Sequence, residues 1–144
     1  MFLGEYQHTL DAKGRLSLPA KYRAEMTGRL VVAKGLGDCL YVQSAEEYQA
    51  FIDRLMEQDD FDPRFRSVRR YFTSGAIETD LDSAGRISLS QGLREFAGLE
   101  RDVAVIGNGN RIELWDSAKW AAYNGETTEG IEDVTRELAE SGIL

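Results

Sequence analysis

Apolar and polar positions change period several times along this chain, and each change predicts an element. Leu3–Leu10 reads as extended and stops at the turn signal Asp11-Ala12-Lys13-Gly14. Arg15-Leu16-Ser17-Leu18 then alternates polar and apolar, as a half-buried strand does. Together the two segments predict a β-hairpin. Pro19 suits the first turn of a short helix over Ala20–Met26, because its missing N–H has no helical partner there. Thr27-Gly28 ends that helix, and strands follow at Leu30–Ala33 and Cys39–Gln43. Ser44 with Glu47 three residues on forms a capping-box pattern. Tyr48, Phe51, Ile52 and Leu55 recur at helical spacing behind it, predicting an amphipathic helix. Asp59–Asp62 interrupts the pattern. Asp62-Pro63 opens a further helix, with Phe65, Val68 and Phe72 on one side and four arginines interleaved. Strands recur near Ala76–Leu81, Arg86–Leu89, Val103–Ile106 and Arg111–Trp115, before a helix capped by Asp116. In the final segment Ile131, Val134 and Leu138 are spaced for a weakly apolar helical face, which serves equally a docking helix and a mobile arm.

The second set of strands is a copy of the first. Between Gly4–Arg23 and Gly75–Arg94, 8 of 20 positions are identical, ending on Arg23 and Arg94. Cys39–Ser44 matches Arg111–Asp116, with Tyr48 and Phe51 over Trp120 and Tyr123. A unit of about 45 residues buries too little surface to stand comfortably alone, so the two copies are expected to close one another's core.

Composition refines this picture in two respects. The single cysteine, Cys39, excludes an internal disulfide framework and fits a buried strand position in a reducing cytoplasm. No stretch approaches membrane-spanning length and no leader pattern opens the chain. The net charge of −8 argues at first against a nucleic-acid partner. Asn124–Leu144, however, holds six acids and one arginine, leaving the remainder only mildly acidic. Lys13, Arg15, Lys21 and Arg23 form one basic cluster; Arg64, Arg66, Arg69 and Arg70 form another. Patches of charge decide whether a polyanion is attracted.

The repeated motif is Asp-x-x-Gly-Arg. Asp11 and Asp82 suit a turn because a carboxylate accepts amides two or three residues on. Gly14 and Gly85 suit it because they tolerate positive φ. No turn geometry demands Arg15 or Arg86. A guanidinium there offers planar donors to phosphates or guanine edges, or simply forms an Asp11–Arg15 or Asp82–Arg86 ion pair that pins the turn. Catalysis has little support. His8 is the single histidine and lies far from Cys39, no metal set has the usual spacing, and hydrolase and phosphate-loop signatures are absent. No cofactor is expected.

The opening Met-Phe-Leu-Gly-Glu-Tyr, Leu10–Arg23, Asp82–Ile87, Val105-Ile106-Gly107 and Glu113–Asp116 resemble the bacterial MraZ family over nearly the whole chain. The resemblance implies a non-enzymatic transcriptional regulator of α+β class, a β-rich, pseudo-two-fold swapped-hairpin (AbrB-like) barrel with short peripheral helices. It implies SpoVT/AbrB-type modules at 5–47 and 76–119, a helical linker at 48–75 and an acidic tail at 120–144. It further implies a ring of identical subunits on tandem direct repeats of promoter DNA. The ring would repress its own gene and the division and cell-wall genes after it, in the cytoplasm and on the nucleoid. Arg15 and Arg86 become the DNA-contact residues, Asp11 and Asp82 complete the motifs, and Lys13 adds a phosphate contact. The second copy has Ala84, Ser90 and Gly92 where the first has Lys13, Pro19 and Lys21, so it is less basic. A rival reading is an antitoxin-like interaction module whose acidic tail wraps a protein partner. RNA is less favoured, since the turns lack stacking aromatics.

Overall fold

A computed structural model describes residues 1–144 as eight strands and five helices: β1 (Glu5–Thr9), β2 (Arg15–Ser17), α1 (Ala20–Arg23), β3 (Leu30–Lys34), β4 (Cys39–Ser44), α2 (Ala45–Met56), α3 (Pro63–Ser74), β5 (Ile77–Thr79), β6 (Arg86–Ser88), α4 (Gln91–Ala97), β7 (Asp102–Asn108), β8 (Arg111–Asp116) and α5 (Ser117–Glu140). Six strands form an antiparallel sheet in the order β1-β7-β8-β4-β3-β5, and β2 pairs with β6 in a separate two-stranded ribbon. The arrangement is symmetric about the β4–β8 seam. Each repeat contributes its third and fourth strands to the centre, and its first strand crosses to the other repeat.

This corrects the hairpin expected from Leu3–Leu18. β1 lies against β7, with Tyr6 opposite Val105, while β2 lies against β6, with Leu16 opposite Ile87. Between them only the turn is closed, by the Asp11 amide donating to the Arg15 carbonyl at 2.9 Å. The cause is burial: Leu16, Leu18, Ile87 and Leu89 all enter one core with Leu30, Val32, Val103 and Val105. Neither repeat could cover those residues by pairing within itself. Sheet and ribbon therefore enclose a shared core in the swapped-hairpin arrangement of an α+β fold.

The central strands are covered on both faces, which explains their nearly unbroken apolar sequences. On one face, Leu40, Val42, Ile112 and Leu114 meet the ribbon, α1 and α4. On the other, Cys39, Tyr41, Ala104, Ile106 and Trp115 meet α2, α3 and α5. Cys39 is fully buried, as expected of a strand thiol.

The helices depart from the sequence pattern in places. α1 ends at Arg23, not Met26, and Pro19 occupies its cap. The chain turns there so that Met26 enters the core before Leu30 starts β3. Ser44 caps α2 by accepting the Glu47 amide at 3.2 Å, without the reciprocal bond of a full box. Asp62 caps α3 in the same way from Arg64 at 2.9 Å. Copy two also has α4, which the sequence pattern did not place; Ser90 caps it, and Gly98 ends it at φ +64°. The helix capped by Asp116 and the acidic tail prove to be one continuous element, α5.

Candidate nucleic-acid interface

Both copies of the repeated motif build the same turn. One oxygen of Asp11 accepts the backbone amides of Lys13 and Arg15, each at 2.9 Å. The Gly14 amide donates to the Asp11 carbonyl at 3.0 Å, and Gly14 adopts φ +75°. In copy two Asp82 accepts from Ala84 and Arg86 at the same 2.9 Å, and Gly85 adopts φ +77°. The second oxygen of each carboxylate accepts the arginine Nε–H, at 2.8 Å for Arg15 and 2.9 Å for Arg86. The Arg15 backbone amide is the main cause holding the Asp11 carboxyl below its usual range. The Arg15 side chain and the Lys13 amide add to it, against partial desolvation. Asp82 is lowered in the same way, chiefly by the Arg86 amide.

The ribbon brings the two turns together. Its register sets Arg15 opposite Ser88 and Ser17 opposite Arg86. Side chains alternate along a strand, so Leu16 and Ile87 point into the core and Arg15 and Arg86 share the outer face. A diagonal offset of two residues across one strand pair separates their Cα atoms by roughly 8 Å. Asp11 Oδ2 lies 3.9 Å from Arg86 Nη1, so the carboxylate of the first motif also faces the guanidinium of the second. Each arginine side chain remains about a third exposed, 29% and 32%. The expected ion pairs are thus present, each hydrogen-bonded through Nε alone, with Arg86 adding the longer contact to Asp11. An aspartate that binds Nε orients the fork and leaves the terminal nitrogens available for planar donation.

Two further arginines complete the face. Arg94 packs over Gly14, where an added Cβ would lie 3.0 Å from its guanidinium carbon, and Arg23 packs over Gly85 so closely that a Cβ would collide with it. Each glycine is needed twice, for its φ and for the other repeat's arginine. The glycine carbonyls also cross the repeats: Gly85 accepts from the Leu18 amide at 3.1 Å and Gly14 from Leu89 at 2.9 Å. Arg23 Nη1 donates to the Ala84 carbonyl at 3.3 Å, whereas its buried Nε has no partner. Arg94 Nε donates to the Leu89 carbonyl at 3.2 Å. In the sequence Arg23 and Arg94 stood out as the end of the repeated block, and Arg23 also as a member of the first basic cluster. Lys13 and Lys21 are exposed in the first copy, and Ala84 and Gly92 stand at the matching positions of the second. His8 lies apart on β1, its imidazole pKa lowered by burial first and by the charge of Arg23 second.

The duplicated turn has a counterpart in comparisons with known proteins. The family model described as "MraZ protein, putative antitoxin-like" matches the chain twice, at residues 1–71 and 72–140. This chain belongs to the MraZ family. Among curated relatives, the "Transcriptional regulator MraZ" of Syntrophomonas wolfei subsp. wolfei is 43% identical over 143 residues, covering 99% of this chain and 100% of that protein. The protein of the same description from Acetivibrio thermocellus is 41% identical with the same coverage. That of Halothermothrix orenii is 39% identical, again over 99% and 100%. The boundary between the two MraZ matches falls inside α3, just ahead of the strand that crosses back to pair with β3. No helix of the chain is long and apolar enough to cross a membrane.

Proposed function

We propose that this MraZ-family chain is a sequence-specific, DNA-binding transcriptional regulator, with Arg15 and Arg86 reading or clamping the duplex and Lys13 adding a phosphate contact. The observation that carries the reading is the outer face of the β2–β6 ribbon. There, two guanidinium groups are each held at Nε by an aspartate, and their terminal nitrogens make no hydrogen bond in the chain, the nearest contact being Arg86 Nη1 at 3.9 Å from Asp11. Such forks match phosphate oxygens and the O6/N7 edge of guanine. The relatives' description as transcriptional regulators agrees with this chemistry. The acidic total is no obstacle, because most of the excess acid lies after Tyr123, in α5.

In this reading residues 5–47 and 76–119 are the two DNA-facing modules, 48–75 links them, and 120–144 is an acidic extension outside the interface. The protein acts in the cytoplasm, on the nucleoid, and without a cofactor. Copies associate into a ring that meets tandem direct repeats in a promoter. It represses its own gene and the division and cell-wall genes that follow. The unequal basicity of the turns, Lys13 against Ala84, makes the first copy the stronger contact.

A footprint on the DNA upstream of the chain's own gene tests the proposal. The expected pattern is protection of two or more boxes in the same orientation, centred about one helical turn or roughly 10 bp apart. One isolated box should bind poorly, because the second contact gains from effective concentration after the first. Equal affinity for one box and for two, or no protection, refutes the reading.

A further inference from the structure

Glu113 is the only charged side chain buried in the chain, at 9% exposure. It stands on β8 near the centre of the six-stranded sheet, with Ile106 of β7 on one side and Tyr41 of β4 on the other. Removing a carboxylate from water is costly unless its oxygens are well partnered. Here the partners are two neutral donors. Trp115 Nε1–H donates to one oxygen at 2.9 Å, and Asn108 Nδ2–H to the other at 2.9 Å. No cation pairs with it. Arg111, two residues back on the same strand face, lays its guanidinium 4.0 Å over the Tyr41 ring and forms no salt bridge. A carboxylate has about four lone-pair positions, and two are taken.

The fold does not require an acid at this place. In the matching strand of the first copy, Tyr41 holds the position of Glu113 and Gln43 that of Trp115. The first copy thus builds the same strand of the same sheet without the acid or its indole partner.

The carboxylate lines a cleft of about 450 Å³ on the face of the sheet turned away from the β2–β6 ribbon. Four aromatic side chains wall it, Tyr41 and Trp115 from the sheet and Trp120 and Tyr123 from the start of α5. Tyr123 stacks on Trp115 with 5.0 Å between ring centroids, and Trp120 lies 5.7 Å from Trp115. Asn108 turns its amide nitrogen to Glu113, which leaves its carbonyl oxygen as a second acceptor at the cleft. Acceptors beside aromatic faces select a cation that carries N–H donors.

We propose that this cleft binds a small organic ammonium ion with an apolar tail. The ammonium donates to the Glu113 carboxylate and to Asn108 Oδ1, and the tail lies among Trp115, Trp120 and Tyr123. Binding supplies the buried charge with the counter-ion that the chain itself withholds. The site is separate from the proposed DNA interface, since it opens on the opposite face of the sheet and uses neither Arg15 nor Arg86.

Trp115 and Trp120 are the only tryptophans of the chain, so intrinsic fluorescence reads the cleft directly. Full-length protein titrated with phenethylamine at neutral pH should give a saturable change with Kd below about 1 mM. Phenethyl alcohol and phenylpropionate carry similar tails but are neutral and anionic, and should bind at least about 10-fold more weakly. Glu113→Gln keeps the size of the side chain and one acceptor oxygen while removing its charge. It should weaken phenethylamine by about 10-fold or more and leave phenethyl alcohol nearly unaffected. Tyr123→Ala, at a half-exposed position outside the sheet, should also weaken the amine, whereas Arg15→Ala should bind it as the wild type does. No saturable binding of the amine, equal binding of the alcohol, or undiminished binding by Glu113→Gln overturns the proposal. If circular dichroism shows Glu113→Gln to be unfolded, Tyr123→Ala decides, and unchanged affinity for the amine there overturns it.

Discussion

Replacing Arg15 by alanine separates contact from scaffold. The Asp11 carboxylate accepts two backbone amides besides the Arg15 Nε, and those two bonds close the turn. Arg15→Ala removes the side-chain bond and leaves both amide bonds, the glycine conformation and the Leu16–Ile87 pairing in place. The stability change should then stay within about 1 kcal/mol, as for partly exposed positions without a structural role. For a chain of this size that is a melting shift of no more than about 4 °C. Binding should fall much further. Loss of a specific arginine contact costs about 1–3 kcal/mol at each site, or roughly 5- to 150-fold, and simultaneous engagement of several copies multiplies it. Asp11→Ala should show the reverse balance, with the larger melting shift of the two, because it strips both amides of their acceptor. Arg15→Lys keeps the charge but loses the planar fork, so binding to random DNA should persist while discrimination falls. Thermal denaturation followed by fluorescence anisotropy with specific and random duplexes, across a salt series, reads all of these. If Arg15 touches a phosphate, its removal should reduce the slope of log affinity against log salt by about 0.9. An Arg15→Ala protein that melts lower than Asp11→Ala, or binds its operator undiminished, refutes the assignment of Arg15 as a contact.

Arg86→Ala should weaken operator binding in the same direction but less, because Ala84 stands where the first turn has Lys13; a larger loss than for Arg15→Ala would reverse the ranking of the two copies. Gly85→Ala should lower stability by about 1–3 kcal/mol, and by more than Gly14→Ala, since at Gly85 the new methyl meets Arg23 head-on; equal melting curves would count against the cross-repeat packing. The depressed carboxyls of Asp11 and Asp82 contribute stability that is fully present above their ordinary value of 3.8. It is lost as pH falls through their lower native values, so an Asp11→Asn, Asp82→Asn protein should show a shallower acid-unfolding curve than the wild type. Burial pushes the Cys39 thiol up to about 12, so a thiol reagent at neutral pH should label the chain only after denaturant is added.

The sequence by itself determined the duplication, the two Asp-x-x-Gly-Arg turns and most of the strands and helices. These are local properties. An Asx-type turn needs only an aspartate and a glycine at fixed spacing, and an amphipathic helix such as α2 needs only its own periodicity and cap. Tertiary structure decided which strand pairs with which. Leu3–Leu18 carries every local mark of a hairpin, yet β1 and β2 part company after the turn because Leu16 and Leu18 find a complete core only against Ile87 and Leu89 of the other repeat. The second layer of the candidate interface has the same origin. Arg23 and Arg94 are ordinary basic residues in the sequence, and their seats over Gly85 and Gly14 exist only once the repeats interlock. The exposure of Val68, which periodicity groups with the buried Phe72, and the exposed length of α5 past Tyr123 are likewise settled by which surfaces the fold leaves uncovered, because periodicity identifies an apolar face without naming what it meets.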